Sequence, residues 1–438
     1  MNIPISLQYS NPFYISQLHN GITICTEYIA HSLLNCIGVY VNSGSRFESP
    51  NASGSAHFLE HILFKGTKHQ TKTQFEYDIE QRGSSINAYT SREHTLYSID
   101  CFTNEVKHSL QMLSHMIMYP TISSHAIENE KETITEELIH CYKDKIQLLM
   151  EMGHSCIFGK NTAMGRPILG DVTNIHNVNH SMVNRFYKRQ YVGKNIFIVS
   201  CGNTPHDVVV NYSKEYFSQM QKECNIGSNK YENDFCKKKP MFIHNNKLIL
   251  DTKERDGNAN GVGVFYPATN WFHRDYYVFL LIERMLSESG MNLNLNSKVF
   301  FNPYRDCGLF GMVVVGDDKE IVGKEVMKKV FPFNYVVGVS DYELNKAKNK
   351  LYMDLLNIHT ANDLMYLIGP QMVYFGRRVS SKEIAENVNK VTKKDIYRVM
   401  RKWFVNGRPS FVGCGNKRKI NKIINHYIQY KHSVNVKL

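Results

Sequence analysis

Runs of apolar residues in the first quarter of the chain predict strands. Residues 14–25 have the pattern of a hairpin, and residues 37–41 form a continuous apolar run that is typical of a buried strand. Residues 84–89 and 94–101 predict two further strands joined by a short turn. The start of the chain is therefore expected to form a sheet.

Residues 54–66 predict a short helix after the strand at 37–41. Ser53 or Ser55 is available as its N-cap, and Gly66 is available as its end. A strand followed directly by a helix is the order that a helix packed on a sheet requires.

This predicted helix carries His57, Glu60 and His61. Residues three and four apart share a helix face, so both imidazoles and the carboxylate converge. The order His-x-x-Glu-His is the inverted zinc-peptidase motif, in which two histidines bind zinc and the glutamate activates a water. The alternative is a surface helix that holds two histidines and an acid by chance.

One acidic stretch further along has a helical apolar stripe. Ile127, Ile134 and Leu138 fall at i, i+7 and i+11, and Glu130 and Glu137 lie beside them. A carboxylate that points to the core needs a cation, because burying it unpaired costs several kcal/mol. A catalytic zinc needs a third protein ligand, which Glu137 could supply, with Glu130 near the metal's water or a ligand. The alternative is a solvent-exposed acidic helix.

Two short patterns recur at similar places in the two halves. Residues 197–203 are echoed by residues 410–416, and residues 38–41 by residues 261–264. We therefore expect a duplicated α+β domain of about 200 residues, an ordinary domain size.

The repeat suggests a catalytic domain at 1–220, a linker at 221–245 and a homologous non-catalytic domain at 246–438. The linker is rich in Asn, Ser, Gly and Lys. The helix predicted at 276–285 takes the place of the motif helix in the second copy, and it has no histidine and no paired acids. Only the first copy is expected to be catalytic.

Composition excludes several classes of protein. No apolar run approaches the roughly 20 residues that cross a bilayer, and no signal-peptide pattern is present. The ten cysteines include no Cys-x-x-Cys pair, which favours free thiols in a reducing compartment over a disulfide framework or a cysteine zinc site.

The net charge of +12 is divided unevenly. Residues 1–220 hold 17 Lys and Arg against 19 Asp and Glu, whereas residues 221–438 hold 35 against 21. The basic runs are scattered and no recognition motif accompanies them, so nucleic-acid binding is not expected. Solvent-exposed faces, or an interface with an acidic partner, explain the basic excess of residues 221–438 better than nucleic-acid binding does.

Three segments together resemble one family. Residues 55–67, 86–93 and 165–170 are similar to the beta subunits of mitochondrial processing peptidases, within the pitrilysin-type zinc peptidases. Glu137 lies 76 residues beyond His61, which is the separation this family uses for its third ligand. The resemblance is tight over most of the first half and loose over the second.

The resemblance implies one Zn²⁺ per chain, held by His57, His61 and Glu137, with Glu60 as general base and Glu130 as supporting acid. It implies an α+β fold of two homologous domains, each a mostly antiparallel sheet packed with helices, enclosing a peptide-binding cavity. The reaction would be peptide hydrolysis without a covalent enzyme intermediate.

Two further roles follow from the resemblance alone. Asn87 and Ala88 would lie on an edge strand that holds the substrate backbone by strand addition, although an ordinary sheet strand is the alternative. Tyr304 would reach across the cavity and donate to the developing oxyanion, with a core tyrosine as the alternative.

Substrate choice is where the chain departs from the family. The family binds an arginine upstream of the cut through acids ten and fourteen residues beyond the third ligand, and these positions are Gln147 and Glu151 here. With one acid missing, the arginine preference is expected to be reduced. No equivalent of the glycine-rich loop of the family's alpha subunit is found, so we expect an alpha-type partner, or short presequences handled by this chain alone.

The resemblance therefore implies a zinc metalloendopeptidase that removes N-terminal presequences in the matrix of mitochondria or of a mitochondrion-related organelle. The first basic residue is Arg46, so no transit-peptide pattern precedes the predicted hairpin. Import would use another signal, or a presequence has been trimmed. The alternative function is a core scaffold subunit of the mitochondrial cytochrome bc complex, with or without residual peptidase activity.

Overall fold

The computed structural model describes residues 3–8, 10–224, 240–243, 247–251, 260–288, 296–316 and 339–437. Most of the linker predicted at 221–245 lies outside these residues, so its bounds stay a prediction. Within the described part of the chain, no helix is long and apolar enough to cross a membrane.

The first half forms a six-stranded sheet. Its strands are β1 Phe13–Gln17, β2 Thr23–Tyr28, β3 Leu34–Val41, β4 Ser85–Thr90, β5 Thr95–Phe102 and β6 Ile196–Gly202. Their order is β1-β2-β6-β3-β5-β4, and every neighbouring pair is antiparallel except β2 and β6. The predicted hairpin and strands are confirmed, and β4 lies at an edge.

Eight helices accompany this sheet in the described residues. They are α1 Ser55–Leu63, α2 Lys72–Gln81, α3 Val106–Met118, α4 Ser124–Lys143, α5 Lys145–Phe158, α6 Val172–Asn177, α7 His180–Gln190 and α8 His206–Phe217. The buried faces of α1, α3 and α4 share one hydrophobic core with the sheet. This packing holds α1 against both the sheet and α4.

The second half forms a five-stranded sheet with its own helices. Its strands are β7 Lys247–Asp251, β8 Asn260–Ala268, β9 Asn296–Pro303, β10 Gly308–Gly316 and β11 Ser410–Gly415, in the order β7-β11-β8-β10-β9. Its described helices are α9 Tyr276–Glu288, α10 Asp341–Leu356, α11 Ala361–Phe375, α12 Ser381–Lys390, α13 Lys393–Val399 and α14 Lys417–Lys437.

Five strands of the first sheet correspond one by one to the five strands of the second, and β1 is additional. The run β2-β6-β3-β5-β4 corresponds to β7-β11-β8-β10-β9, and the parallel pair stands at the same place in both. Helix α9 follows β8 as α1 follows β3. The predicted duplication and the α+β fold with mostly antiparallel sheets are confirmed.

The halves exchange one helix each across their interface. Helix α5 of the first half packs on β8, β10 and β11, and α11 of the second half packs on β3 and β6. A Cβ at Gly153 would lie 2.1 Å from the Phe265 ring, and a Cβ at Gly369 would lie 1.9 Å from the Tyr40 ring. Each exchanged helix therefore requires a glycine at the position where an aromatic side chain of the sheet packs against its backbone.

Candidate metal centre

The N-terminus of α1 is capped from a distance. Its N-cap is Gly54, at a φ of 95°, and no adjacent serine side chain caps it, so the predicted serine cap is wrong. The Glu48 carboxylate accepts hydrogen bonds from the amides of Gly54 at 2.9 Å and Ala56 at 2.8 Å. Burial raises the pKa of Glu48 to about 8, although these two amides lower it. The helix also ends at Leu63, before the predicted end.

Helices α1 and α4 bring the three predicted ligands to one point. Glu137 Oε2 lies 3.1 Å from His57 Nε2 and 3.2 Å from His61 Nε2. Candidate ligand atoms of the three residues all lie within 4.8 Å of one another, and among the described residues this is the single group of its kind. Helical spacing predicted that the two imidazoles share a face, whereas Glu137 was expected from its place beside the apolar stripe of α4 and from the family resemblance. The structure brings the three side chains together, and their role as zinc ligands stays a prediction.

This donor set fits a zinc ion. Two imidazole nitrogens and a carboxylate are a set that proteins use to bind catalytic zinc. Burial lowers the pKa of His57, but the neighbouring Glu137 and Glu60 carboxylates raise it to about 9 overall. Hydrogen bonds with His57 and His61 hold the pKa of Glu137 well below its usual range. The Glu137 carboxylate is thus ionised, as a metal ligand must be, and a bound cation would replace the protons that the imidazoles direct at it.

Glu130 stands behind the ligands and does not join them. Its Oε2 lies 3.0 Å from His61 Nδ1, and its Oε1 lies 2.6 Å from Lys65 Nζ. A carboxylate on the far nitrogen of a metal-binding imidazole fixes the ring and its tautomer, so the position of Glu130 fits that of a supporting acid. The structure places Glu130 beside His61, which is one of the two positions expected from the sequence.

Glu60 lies on the same face of α1 and contacts strand β4. Its Oε2 accepts a hydrogen bond from Thr90 Oγ1 at 2.5 Å and lies 3.7 Å from His57 Nδ1. Sequence analysis assigned no role to Thr90, although this residue belongs to the family-like segment at 86–93.

Part of the metal cluster and Glu60 lie in the wall of a cavity of about 540 Å³. Its wall includes His57, Glu60 and Glu137 from the metal cluster, residues of α5, and the segment 167–171. Strand β7 of the second half supplies Leu248, Ile249 and Leu250 to the same wall, which is otherwise largely apolar. The cavity is therefore built by both halves.

The edge strand β4 borders this cavity. Ala88 lines it, and the Ala88 amide donates to Asn87 Oδ1 at 2.9 Å. Asn87 Nδ2 donates to the Tyr366 hydroxyl of the second half at 3.4 Å. The edge position agrees with the sequence interpretation, while the role in holding a substrate stays a prediction.

Gln147 and Glu151 also line the cavity, on α5. The Glu151 carboxylate is paired with Arg92, whose Nη1 and Nη2 donate to its two oxygens at 3.2 and 2.8 Å. The Arg92 side chain is only 4% exposed, and its Nε donates to the Met164 carbonyl. Sequence reasoning missed this internal partner, because nothing local links position 92 to position 151.

Tyr304 is not brought to the metal cluster. Its hydroxyl lies 2.6 Å from His154 Nε2, and it is absent from the cavity wall. Burial raises the pKa of Tyr304, and burial together with Arg92 lowers that of His154. The structure shows Tyr304 beside His154, at the contact between β9 and α5. Its role as an oxyanion donor stays a prediction.

Comparisons with known proteins agree with this architecture. The family model described as Insulinase (Peptidase family M16) matches residues 26–172, and the one described as Peptidase M16 inactive domain matches residues 177–351. A crystal structure of a protease from Helicobacter pylori has the same fold, with a TM-score of 0.81 at 17% identity, covering 92% of this chain and 99% of that chain.

Curated relatives indicate which members of the family this chain is similar to in sequence. The mitochondrial-processing peptidase subunit beta of Dictyostelium discoideum is 30% identical over 90% of this chain and 87% of its own length. That of Saccharomyces cerevisiae is 29% identical over 95% of this chain and 93% of its own length. The chain therefore belongs to peptidase family M16, in which its relatives are the beta subunits of the mitochondrial-processing peptidase.

Proposed function

We propose that this chain is a zinc metalloendopeptidase that removes N-terminal presequences from proteins imported into mitochondria or a mitochondrion-related organelle. The observation that carries the proposal is the cluster of His57, His61 and Glu137 beside Glu60 in a cavity bordered by an edge strand. The names of the relatives supply the substrate class.

The protein's own residues would act as follows. His57, His61 and Glu137 would hold one zinc ion, which when bound supplies a Lewis acid that polarises a peptide carbonyl. Glu60 takes a proton from the attacking water and delivers it to the leaving amine, so no covalent enzyme intermediate forms. Glu130 keeps His61 oriented through its Nδ1.

The substrate would bind as an added strand. An edge strand offers backbone groups to an extended peptide and reads few side chains, which suits presequences of varied sequence. Asn87 and Ala88 would then contact the substrate backbone, and the Ala88 amide would exchange its bond with the Asn87 side chain for one with the peptide. Tyr304 would reach a scissile carbonyl only if its bond to His154 opened.

Arginine recognition at Glu151 would be weak. The carboxylate already has both oxygens bonded to Arg92, so an arginine of the substrate would have to share it. Gln147 offers no charge. A reduced preference for arginine upstream of the cut therefore fits both the sequence and the geometry.

Location and partners follow from the relatives. Processing peptidases named as mitochondrial suggest the matrix of mitochondria or of a related organelle, and a subunit named beta suggests an alpha-type partner. The alternative of a core scaffold subunit of the cytochrome bc complex is not favoured, because a scaffold does not require a complete ligand cluster with Glu60 beside it.

The test is metal content together with peptide cleavage. The purified chain, alone and with an added alpha-type subunit, should contain one zinc and cleave a presequence peptide, and a chelator should abolish cleavage. Glu60→Gln should keep the zinc and lose roughly 10²–10⁴-fold in kcat, since general base catalysis contributes about that much. Absence of zinc from the unmodified protein, or full activity of Glu60→Gln, would refute the proposal.

A further inference from the structure

We propose that Thr90 is a positioning residue that orients Glu60 for proton transfer. Its hydroxyl anchors one carboxylate oxygen of Glu60 and leaves the other oxygen free for the attacking water. This inference rests on the proposed peptidase function and adds to it a residue on the substrate-facing strand.

The contact joins a hydroxyl to one oxygen of the Glu60 carboxylate. Thr90 Oγ1 donates to Glu60 Oε2 at 2.5 Å, and the Glu60 side chain is 14% exposed. The same Oε2 is the oxygen nearest to His57 Nδ1. In the described part of the chain, Oε1 of Glu60 has no hydrogen-bond partner, so it is the oxygen available to a water in the cavity.

Glu60 needs such an anchor because its helix does not provide one. A glutamate on a helix has three rotatable side-chain bonds, and a base that samples several rotamers is in the productive geometry only part of the time. Donation from a hydroxyl to an ionised carboxylate is one of the stronger kinds of hydrogen bond. Thr90 is well suited as donor, because a β-branched side chain on a strand is itself restricted about χ1.

The position of Thr90 also ties the base to the substrate strand. Ala88 and Thr90 are two residues apart on β4, so their side chains project from the same face, and both line the cavity. A peptide that pairs with this edge would rest on the element that holds Glu60. The base and the peptide backbone would thus share one rigid support, which sets the distance between them.

The experiment compares Thr90→Val with Thr90→Ser in the zinc-loaded protein, assembled with an alpha-type subunit where the wild-type chain cleaves only with one. Val keeps the β-branched shape and removes the hydroxyl, so we expect kcat for a presequence peptide to fall roughly 10–100-fold with KM within about twofold, as for a misplaced catalytic group. Ser keeps the hydroxyl and should retain kcat within about threefold. All variants should bind one zinc per chain.

A matched control is Thr95→Val. Thr95 lies opposite Thr90 in the same hairpin. Its hydroxyl donates to the Ser43 carbonyl at 2.9 Å and does not touch Glu60. Thr95→Val should lower the melting temperature without lowering kcat. If Thr90 acts through Glu60, adding Thr90→Val to Glu60→Gln should change kcat by less than about twofold.

Three results would overturn the inference: wild-type kcat in Thr90→Val, equal loss in Thr90→Ser, or loss of zinc from Thr90→Val. Should Thr90→Val not fold, Thr90→Ala removes the same hydroxyl and carries the same expectations. A wild-type protein without zinc-dependent cleavage would instead refute the proposed function, so the two failures are distinguishable.

Discussion

At the scale of single residues, two glutamates on one helix have different tasks because of their depth. Glu137 is 39% exposed and lies between the two imidazoles, whereas Glu130 is 7% exposed and lies behind His61. Lys65 compensates the buried charge of Glu130. Residues seven apart lie on nearly the same helix face, but two turns, about 10 Å, separate the proposed ligand Glu137 from Glu130, which is proposed to orient His61.

Arginine preference is the residue-scale property that the structure changes most. Glu151→Gln should lower the arginine-to-alanine ratio of kcat/KM only modestly, because Arg92 already occupies that carboxylate. It should also destabilise the protein by about 1–3 kcal/mol, because the buried Arg92 loses its charged partner. Gln147→Glu should raise the same ratio, and by a larger factor than Glu151→Gln lowers it, since it adds a carboxylate without a paired arginine.

The measurement uses two presequence peptides that differ only by arginine or alanine upstream of the cut, with thermal unfolding in parallel. A ratio that is unchanged in both variants would assign arginine recognition to another acid or to a partner subunit.

At the scale of secondary-structure elements, α1 depends on a carboxylate that lies outside it. The first turn of a helix leaves amide groups without partners, and Glu48 accepts from two of them in a buried place. Because His57 lies in this first turn, the same contact helps to fix the position of a proposed metal ligand.

Glu48→Ala should therefore weaken both the helix and the metal centre. Loss of the acceptor for two buried amides should cost about 2 kcal/mol. The melting temperature of the chelated protein should fall by several degrees, and zinc affinity should fall roughly tenfold, as for other residues that support ligands. Glu48→Gln keeps an acceptor and should fall in between. Unchanged melting and zinc affinity in Glu48→Ala would contradict this account of the cap.

At the scale of the whole molecule, the two halves are joined by exchanged helices and by charge. Arg46 of the first half donates to both oxygens of Asp306 in the second, at 2.9 and 2.6 Å, and also pairs with Glu93. The backbone amide of Arg305 donates to Glu93. The turn between β9 and β10 is thereby held against the residues that follow β4, which ties the two halves together at this point.

Gly369→Ala tests the exchanged helix. The new methyl would overlap the Tyr40 ring, and Tyr40 also donates to the Met365 carbonyl of the same helix at 3.0 Å, so neither can move freely. We expect destabilisation of about 2–3 kcal/mol, typical of overpacking in a core. Gly153→Ala should behave alike, because its new methyl would overlap the Phe265 ring in the same way.

The control is Gly376→Ala at the end of the same helix. Its Cβ would meet nothing within 4 Å, so only the positive φ of 65° opposes the change, at a cost of about 1 kcal/mol. Chemical denaturation gives the free energies of unfolding. Equal losses in the free energy of unfolding at positions 369 and 376 would show that close packing against Tyr40 does not account for the effect of Gly369→Ala.

The sequence by itself determined what depends on short spacing along the chain. Two histidines and an acid three and four residues apart must share a helix face, and the stripe of Ile127, Ile134 and Leu138 buries one face of α4. Repeated patterns likewise predicted the duplicated sheets. Such features follow from the fixed geometry of helices and strands, so they hold in any fold that contains those elements.

Only the tertiary structure decided which distant groups meet. Glu48 caps α1, Thr90 holds Glu60, and Arg92 occupies Glu151, because the packing of elements brings together residues up to 59 positions apart. Tyr304 meets His154 instead of the metal cluster for the same reason. A side chain's partner depends on which surfaces are buried together, and no local pattern encodes the direction in which an exchanged helix crosses between the two halves.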